Sequence, residues 1–198
     1  MKAFVEALTR RLHETGIHGR FTPGYSLGAV ILLLYPRGDE LFFLAIERPR
    51  DMSRHPGQVG LPGGGVCLPE ESPEAAALRE SEEEVGIPRD SIQLLGVLGY
   101  FPIPVSGWDV VACIGWWDGQ DPLRRQETEV EVILRVSIED MVDQHNRKFA
   151  GQTYGPPEYP EYFHEQDGQR HRIWGCTARV LHRFFETIYL PVIQAPPS

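Results

Sequence analysis

Residues Gly63–Ile87 read GGGVCLPEESPEAAALRESEEEVGI: a run of glycines, a short connector, then a helix packed with glutamates. The helix is delimited by its own chemistry. Ser72 is an N-cap residue, Pro73 fills the first helical position and Glu74 puts a negative charge in the first turn. Gly86, followed by Pro88, closes it. On a wheel of 100° per residue, Glu80, Glu83 and Glu84 fall within an arc of about 100°, and Ala76 and Ala77 share that side. That wheel turns Ala75, Leu78 and Val85 towards a core and leaves the acids with small neighbours.

Charge makes this helix unusual. Glu70, Glu71 and Glu74 stand at the N-terminal end, where the helix dipole favours anions. Glu80, Glu82, Glu83 and Glu84 crowd the other end, where it disfavours them. Like charges four apart, as in Glu80 and Glu84, each cost a few tenths of a kcal/mol. A solvated acidic face is the plain alternative. The glycines just upstream favour a cation site, because their backbone carbonyls can add oxygen ligands to those of the carboxylates. Such a donor set suits Mg²⁺, Mn²⁺ or Ca²⁺, not soft metals. The glycine run is not a phosphate loop of the Walker type, since no Lys-Ser/Thr follows it.

Outward from the helix, the chain reads as strands with few helices. Leu27–Tyr35 (LGAVILLLY) and Leu41–Glu47 (LFFLAIE) are rich in strand formers and flank a Pro36-Arg37-Gly38-Asp39 turn, which predicts a hairpin. Arg48–Gly65, rich in Pro and Gly, reads as a loop. Further strands are expected at Ile92–Tyr100, Val110–Trp116 and Val130–Val136. Helices are expected at 3–12, Ile138–His145 and Cys176–Tyr189, the last with Val180, Leu181, Phe184, Phe185 and Ile188 on one packing face. Tyr154–Phe163 (YGPPEYPEYF) reads as an irregular insertion, a surface loop or a substrate lid. The pattern predicts an α/β fold with a mixed sheet in one domain spanning 1–198.

Composition narrows the function classes. The formal net charge of −9 argues against a nucleic-acid partner. A small phosphorylated substrate stays open, because a bound cation reverses the field locally. The three cysteines, Cys67, Cys113 and Cys176, form no CxxC pair, so zinc is not expected and a reducing, cytoplasmic location is. The longest apolar stretch, Ala29–Tyr35, is far below the ~20 residues of a membrane helix, and Met1–Leu12 lacks a signal-peptide core, so no membrane partner is expected.

Gly65, Glu71, Arg79, Glu80, Glu83, Glu84, Gly86 and Ile87 match the Nudix box, G-x5-E-x7-R-E-U-x-E-E-x-G-U, over 65–87. Seven fixed letters at about 7% each give a chance agreement on the order of 10⁻⁶ for this length. Ser81 departs from the pattern, which has an aliphatic there. The chain thus resembles the Nudix hydrolases, and the resemblance implies an α/β/α sandwich and hydrolysis of a nucleoside diphosphate linked to another group. It makes Glu80 and Glu84 the principal Mg²⁺ ligands (Mn²⁺ being an alternative), Glu83 a further ligand or the residue that orients water, and the Gly64 carbonyl a backbone ligand. Arg79 would hold the carboxylates, with Glu71 as its partner.

Upstream, Leu44–Arg48 and His55–Gly64 resemble the coenzyme A pyrophosphatase branch, whose signature is roughly LLTxR(S/A)x3Rx3Gx3FPGG. Arg48, Gly57, Pro62, Gly63 and Gly64 match; Ser53 stands where the signature has arginine, with Arg54 beside it, and Leu61 replaces phenylalanine. Ile173-Trp174-Gly175 and Thr177-Ala178 also resemble that branch. The expected substrate is coenzyme A or a derivative, cut to 3′,5′-ADP and 4′-phosphopantetheine. Arg48 and Arg54, with Arg50, are candidate phosphate contacts. ADP-ribose, a dinucleotide or a nucleoside triphosphate is the alternative substrate class, and a non-catalytic nucleotide sensor is the alternative from another class. Either Glu83 or the stretch Glu127, Glu129, Glu131 could position or deprotonate water. The histidines, and Trp108, Trp116, Trp117 and Trp174, are read as packing or surface residues, although a tryptophan could stack an adenine.

Overall fold

The computed structural model describes residues 1–52, 55–149 and 160–195. Helix α1 (Lys2–Thr15) precedes the hairpin β1 (Ser26–Arg37) and β2 (Glu40–Glu47), followed by the short strands β3 (Val59–Gly60) and β4 (Gly63–Gly65). Then come α2 (Pro73–Val85), β5 (Ile92–Ile103), β6 (Trp108–Trp117), β7 (Val132–Ser137) and α3 (Ile138–Phe149). The hairpin β8 (Tyr162–Gln166) and β9 (Gln169–Ile173) leads into α4 (Gly175–Phe184), which passes through one π-helical turn, Phe185–Tyr189, into α5 (Leu190–Gln194).

A mixed seven-stranded sheet runs β3-β2-β1-β6-β5, with β7 on β2 and β4 on β1. Strands β1 and β6 are parallel, while β1–β2 and β5–β6 are antiparallel. Strand β1 is apolar almost throughout because both of its faces are covered. Ala29, Ile31, Leu33 and Tyr35 pack with Ala76, Ala77 and Val85 of α2. Leu32 and Leu34 pack with Leu8 and Leu12 of α1, Met141 of α3, and Leu181 and Phe184 of α4. The result is the expected α/β/α sandwich. Among the described residues no helix is long and apolar enough to cross a membrane.

Four sequence expectations change. Arg48–Gly65 is not all loop: Gly63–Gly65 pairs antiparallel with Gly28–Val30. Glycine has a low intrinsic strand preference, but here it permits close approach. Gly63 has φ 154°, and a Cβ on it would collide with the backbone of Ala29 and Val30. Pro36 and Arg37 belong to β1, leaving only Gly38 and Asp39 in the turn. Residues 154–159 of the expected insertion lie outside the described residues, but Tyr162 and Phe163 open a regular hairpin. Lastly, α2 is rolled relative to the wheel above: Ala76, Ala77, Ser81 and Glu84 are buried with Val85, while Ala75 is exposed. Small residues on this face bring the helix down onto β1 and β4, which carries Glu84 inward.

Candidate active site

Helix α2 begins as its sequence dictates. The Ser72 hydroxyl accepts from the Ala75 N–H at 3.1 Å, and Gly86 adopts φ 78° at the C-cap. The C-terminal end is finished by a distant segment. The Arg124 N–H donates to the Val85 carbonyl at 2.9 Å and the Gln126 N–H to the Glu84 carbonyl at 3.1 Å, satisfying carbonyls that the helix leaves free. A Cβ on Gly86 would press within 2.8 Å of the Arg124 Cβ, so only glycine lets this loop dock. The loop then turns at Gln126–Val130 and is tied to β2 by the Glu131 N–H on the Glu47 carbonyl, 2.8 Å.

The docking delivers Glu129. Carboxylate oxygens of Glu80, Glu84 and Glu129 lie within 4.8 Å of one another, the one such group of three or more acidic, His or Cys side chains among the described residues. Glu129 is exposed, 14% of the Glu80 side chain is exposed, and Glu84 is buried at 1%. Glu84 Oε2 accepts from the Gly63 N–H at 2.9 Å. Burial raises the Glu84 carboxyl to about 8, with Glu80 and Glu129 pushing the same way; the Gly63 N–H and the charge of Arg48 only partly offset them.

Arg79 organises the rim. It grips Glu71 with two nitrogens, Nε at 2.9 Å and Nη2 at 3.2 Å, and reaches Glu80 through Nη1 at 2.7 Å. The same Nη1 touches Glu83 at 3.2 Å, and Nη2 donates to the Gly65 carbonyl at 3.1 Å. The paired guanidinium, with the Cys67 N–H, holds the Glu71 carboxyl down at about 2. Arg79 therefore joins Glu71, Glu80 and the β4 backbone.

The remaining predicted residues divide. Gly64 lies beneath Glu80: a Cβ there would overlap that carboxylate, so the glycine is what makes room for it. Glu83, with 55% of its side chain exposed, leans on Arg79 and is not in the three-carboxylate group; Glu129 takes that place. Arg48 is close enough to act on Glu84, and its buried Nε has no hydrogen-bond partner among the described residues. Arg54 lies outside the described residues. Sequence reading missed the buried pair of Glu47 and His171, 2.5 Å apart, which fastens β9 to the end of β2 beside Arg48. Nothing in the local sequence marks that pair, whose members stand 124 positions apart.

Comparison with known proteins agrees with this geometry. Residues 24–154 match the family model described as the NUDIX domain. The chain belongs to the Nudix family. An uncharacterized Nudix hydrolase, NudL, of Pectobacterium atrosepticum is 32% identical over 151 residues, covering 71% of each chain. A second of the same name, from Photorhabdus laumondii, is 31% identical and covers 73% of this chain and 76% of its own. Among solved structures, a MutT/nudix family protein from Enterococcus faecalis covers 98% of this chain and 79% of its own at a TM-score of 0.57 and 16% identity, a likeness of fold. As a Nudix hydrolase the chain falls in a family that works with divalent metal ions. The residues present fit such an ion: every donor in the group is a hard carboxylate oxygen, and Glu84 is fixed by a backbone N–H in a pocket that disfavours its negative charge.

Proposed function

We propose that this Nudix hydrolase is a Mg²⁺-dependent pyrophosphohydrolase that cuts the phosphoanhydride of coenzyme A or a derivative into 3′,5′-ADP and 4′-phosphopantetheine. The reading rests on one juxtaposition: three carboxylates gathered beside Arg48, in a chain whose segment Leu44–Gly64 resembles the coenzyme A branch. Glu80 and Glu84 would be the main metal ligands, with Glu129 completing the set and the Gly64 carbonyl as a backbone donor; Mn²⁺ suits the same oxygens. A bound divalent ion would neutralise charge building on the phosphate oxygens and lower the pKa of nearby water.

The chain's own groups supply the rest. Arg79 keeps Glu71 and Glu80 in place, so that the carboxylates are arranged before substrate arrives. Gly63 N–H fixes the orientation of Glu84. Arg48, whose buried Nε has no hydrogen-bond partner among the described residues, would contact a phosphate oxygen as a charged donor. The exposed Glu129 carboxylate can orient water and take its proton at a carboxylate oxygen; Glu83, held on Arg79, would serve to keep that guanidinium turned inward.

A panel of coenzyme A, acetyl-coenzyme A, ADP-ribose, diadenosine polyphosphate and nucleoside triphosphates, assayed with Mg²⁺ and with Mn²⁺, tests the reading. Cleavage of coenzyme A with release of 3′,5′-ADP supports it. Fast turnover of ADP-ribose with none of coenzyme A would overturn the substrate assignment. Tight nucleotide binding with no cleavage of any member would favour a sensor module.

A further inference from the structure

A second feature adjoins the carboxylates on the face of the sheet that carries α4. Gly28, Val30 and Val110 point to this face, as do Gly63 and Gly65 of β4. Further along the same strands, Leu32 and Ala112 are fully buried, yet Val30 and Val110 are only partly so. They are uncovered because a cavity of about 200 Å³ opens between them and α4, with Val59 and, from α4 itself, Val180 in its wall. One end of the cavity reaches Arg48 and Gly63, the residue whose N–H holds Glu84. Trp174, 44% exposed, stands at the rim.

The apolar part of the wall is Val30, Val59, Leu61, Val110 and Val180, and of the polar groups beside them the Arg48 Nε is unpartnered while two others are engaged. Thr177 Oγ1 donates to the Val59 carbonyl at 3.3 Å, and Gln58 Oε1 is paired with His55 Nδ1 at 2.9 Å. A purine bound here would find few partners for its ring nitrogens, and burying them unpaired is costly. A flexible chain of methylenes and amides can lay its methylenes on the valines, turn its amides to Arg48, Gln58 and the open mouth, and end against Trp174. A different aromatic serves the same face: the Trp108 ring lies over Gly28 and Gly65, where a Cβ on Gly28 would meet it at 3.4 Å.

We propose that this cavity receives the extended pantetheine arm of the substrate, and that its apolar walls, with Trp174 at the mouth, select for a thin alkyl-amide chain over a base. The inference rests on the coenzyme A reading above. The Arg48 end would take the phosphate, placing the arm's phosphate next to the carboxylates and the arm itself along Val30, Val110 and Val180.

Methyl-labelled protein in chelator, titrated separately with pantetheine and with 3′,5′-ADP, tests it. Pantetheine is expected to move the methyl resonances of Val30, Val110 and Val180, and 3′,5′-ADP to leave them in place. Silence towards pantetheine, or an equal or larger response to 3′,5′-ADP, overturns the inference. In the Mg²⁺-loaded enzyme Trp174→Ala should raise KM for coenzyme A roughly tenfold with Mn²⁺ affinity unchanged. An unchanged KM would count against the cavity, and so would an equal loss of metal affinity, which would signal general disturbance of the fold. If wild-type protein does not cleave coenzyme A, the substrate reading itself fails; if it does while the valines ignore pantetheine, only the arm's location fails.

Discussion

Glu84 sits where its charge is least welcome, and this yields a quantitative prediction for Glu84→Gln. In the metal-free fold its carboxyl titrates near 8, against 4.5 for an unperturbed glutamate. A raised carboxyl favours the protonated folded state. The folded state therefore suffers no penalty below pH 4.5, and stability is lost progressively as pH rises to about 8. At pH 7 the loss is about 2.5 × 1.36, or roughly 3 kcal/mol; at pH 5 it is under about 1 kcal/mol. Glutamine carries no charge and can keep an oxygen on the Gly63 N–H. Metal-free Glu84→Gln should therefore be more stable than wild type at pH 7 by roughly 2–3 kcal/mol, a Tm gain of about 5–10 °C for a chain of this size. The gain should nearly vanish at pH 5. Excess Mg²⁺ should raise the wild-type Tm and leave that of the variant unmoved, while kcat of the variant falls. Thermal melts by circular dichroism, in EDTA and in MgCl₂ at both pH values, read all of this. A variant less stable than wild type in EDTA at pH 7 would refute the reasoning, because it would mean that Glu84 contributes to the metal-free fold as a charge.

Other perturbations separate the parts of the site. Arg79→Ala should weaken Mn²⁺ binding and activity by about 10–100-fold, because Glu71 and Glu80 lose their common partner; isothermal titration and kinetics measure both. Gly64→Ala should abolish metal binding while leaving the far-UV spectrum intact, since its Cβ meets the Glu80 carboxylate. Gly86→Ala should lower stability by about 1–2 kcal/mol in a chemical melt and weaken metal binding as well, because φ 78° and the contact with Arg124 both resist a side chain and the loop bearing Glu129 must shift. Glu129→Gln should reduce kcat more than Glu83→Gln does; the opposite order would return the water-orienting role to Glu83.

What sequence could and could not supply follows from how local each feature is. The cap at Ser72, the stop at Gly86 and the paired β1–β2 hairpin are short-range, so residue chemistry alone locates them. Strand β4 is invisible to propensity, because three glycines become a strand only by pairing with Gly28–Val30. The wheel turned Ala75 and Leu78 towards the core and Ala76, Ala77 and Glu84 away from it, whereas the small residues draw that second face onto the sheet. Glu129 was one of three equivalent acids until the Arg124 and Gln126 amides pinned its loop to the end of α2. The β8–β9 hairpin does carry a local signal, the Asp167-Gly168 pair, with both residues at positive φ.

The claim on which the rest depends is that Glu80, Glu84 and Glu129 hold a divalent cation together. Titrating the protein with Mn²⁺ and following the free ion by electron paramagnetic resonance tests it directly. Wild type should bind Mn²⁺ at a saturable site, with affinity falling sharply in Glu80→Gln and in Glu84→Gln and more modestly in Glu129→Gln. Undiminished Mn²⁺ affinity in a Glu80→Gln, Glu84→Gln double variant would contradict the account.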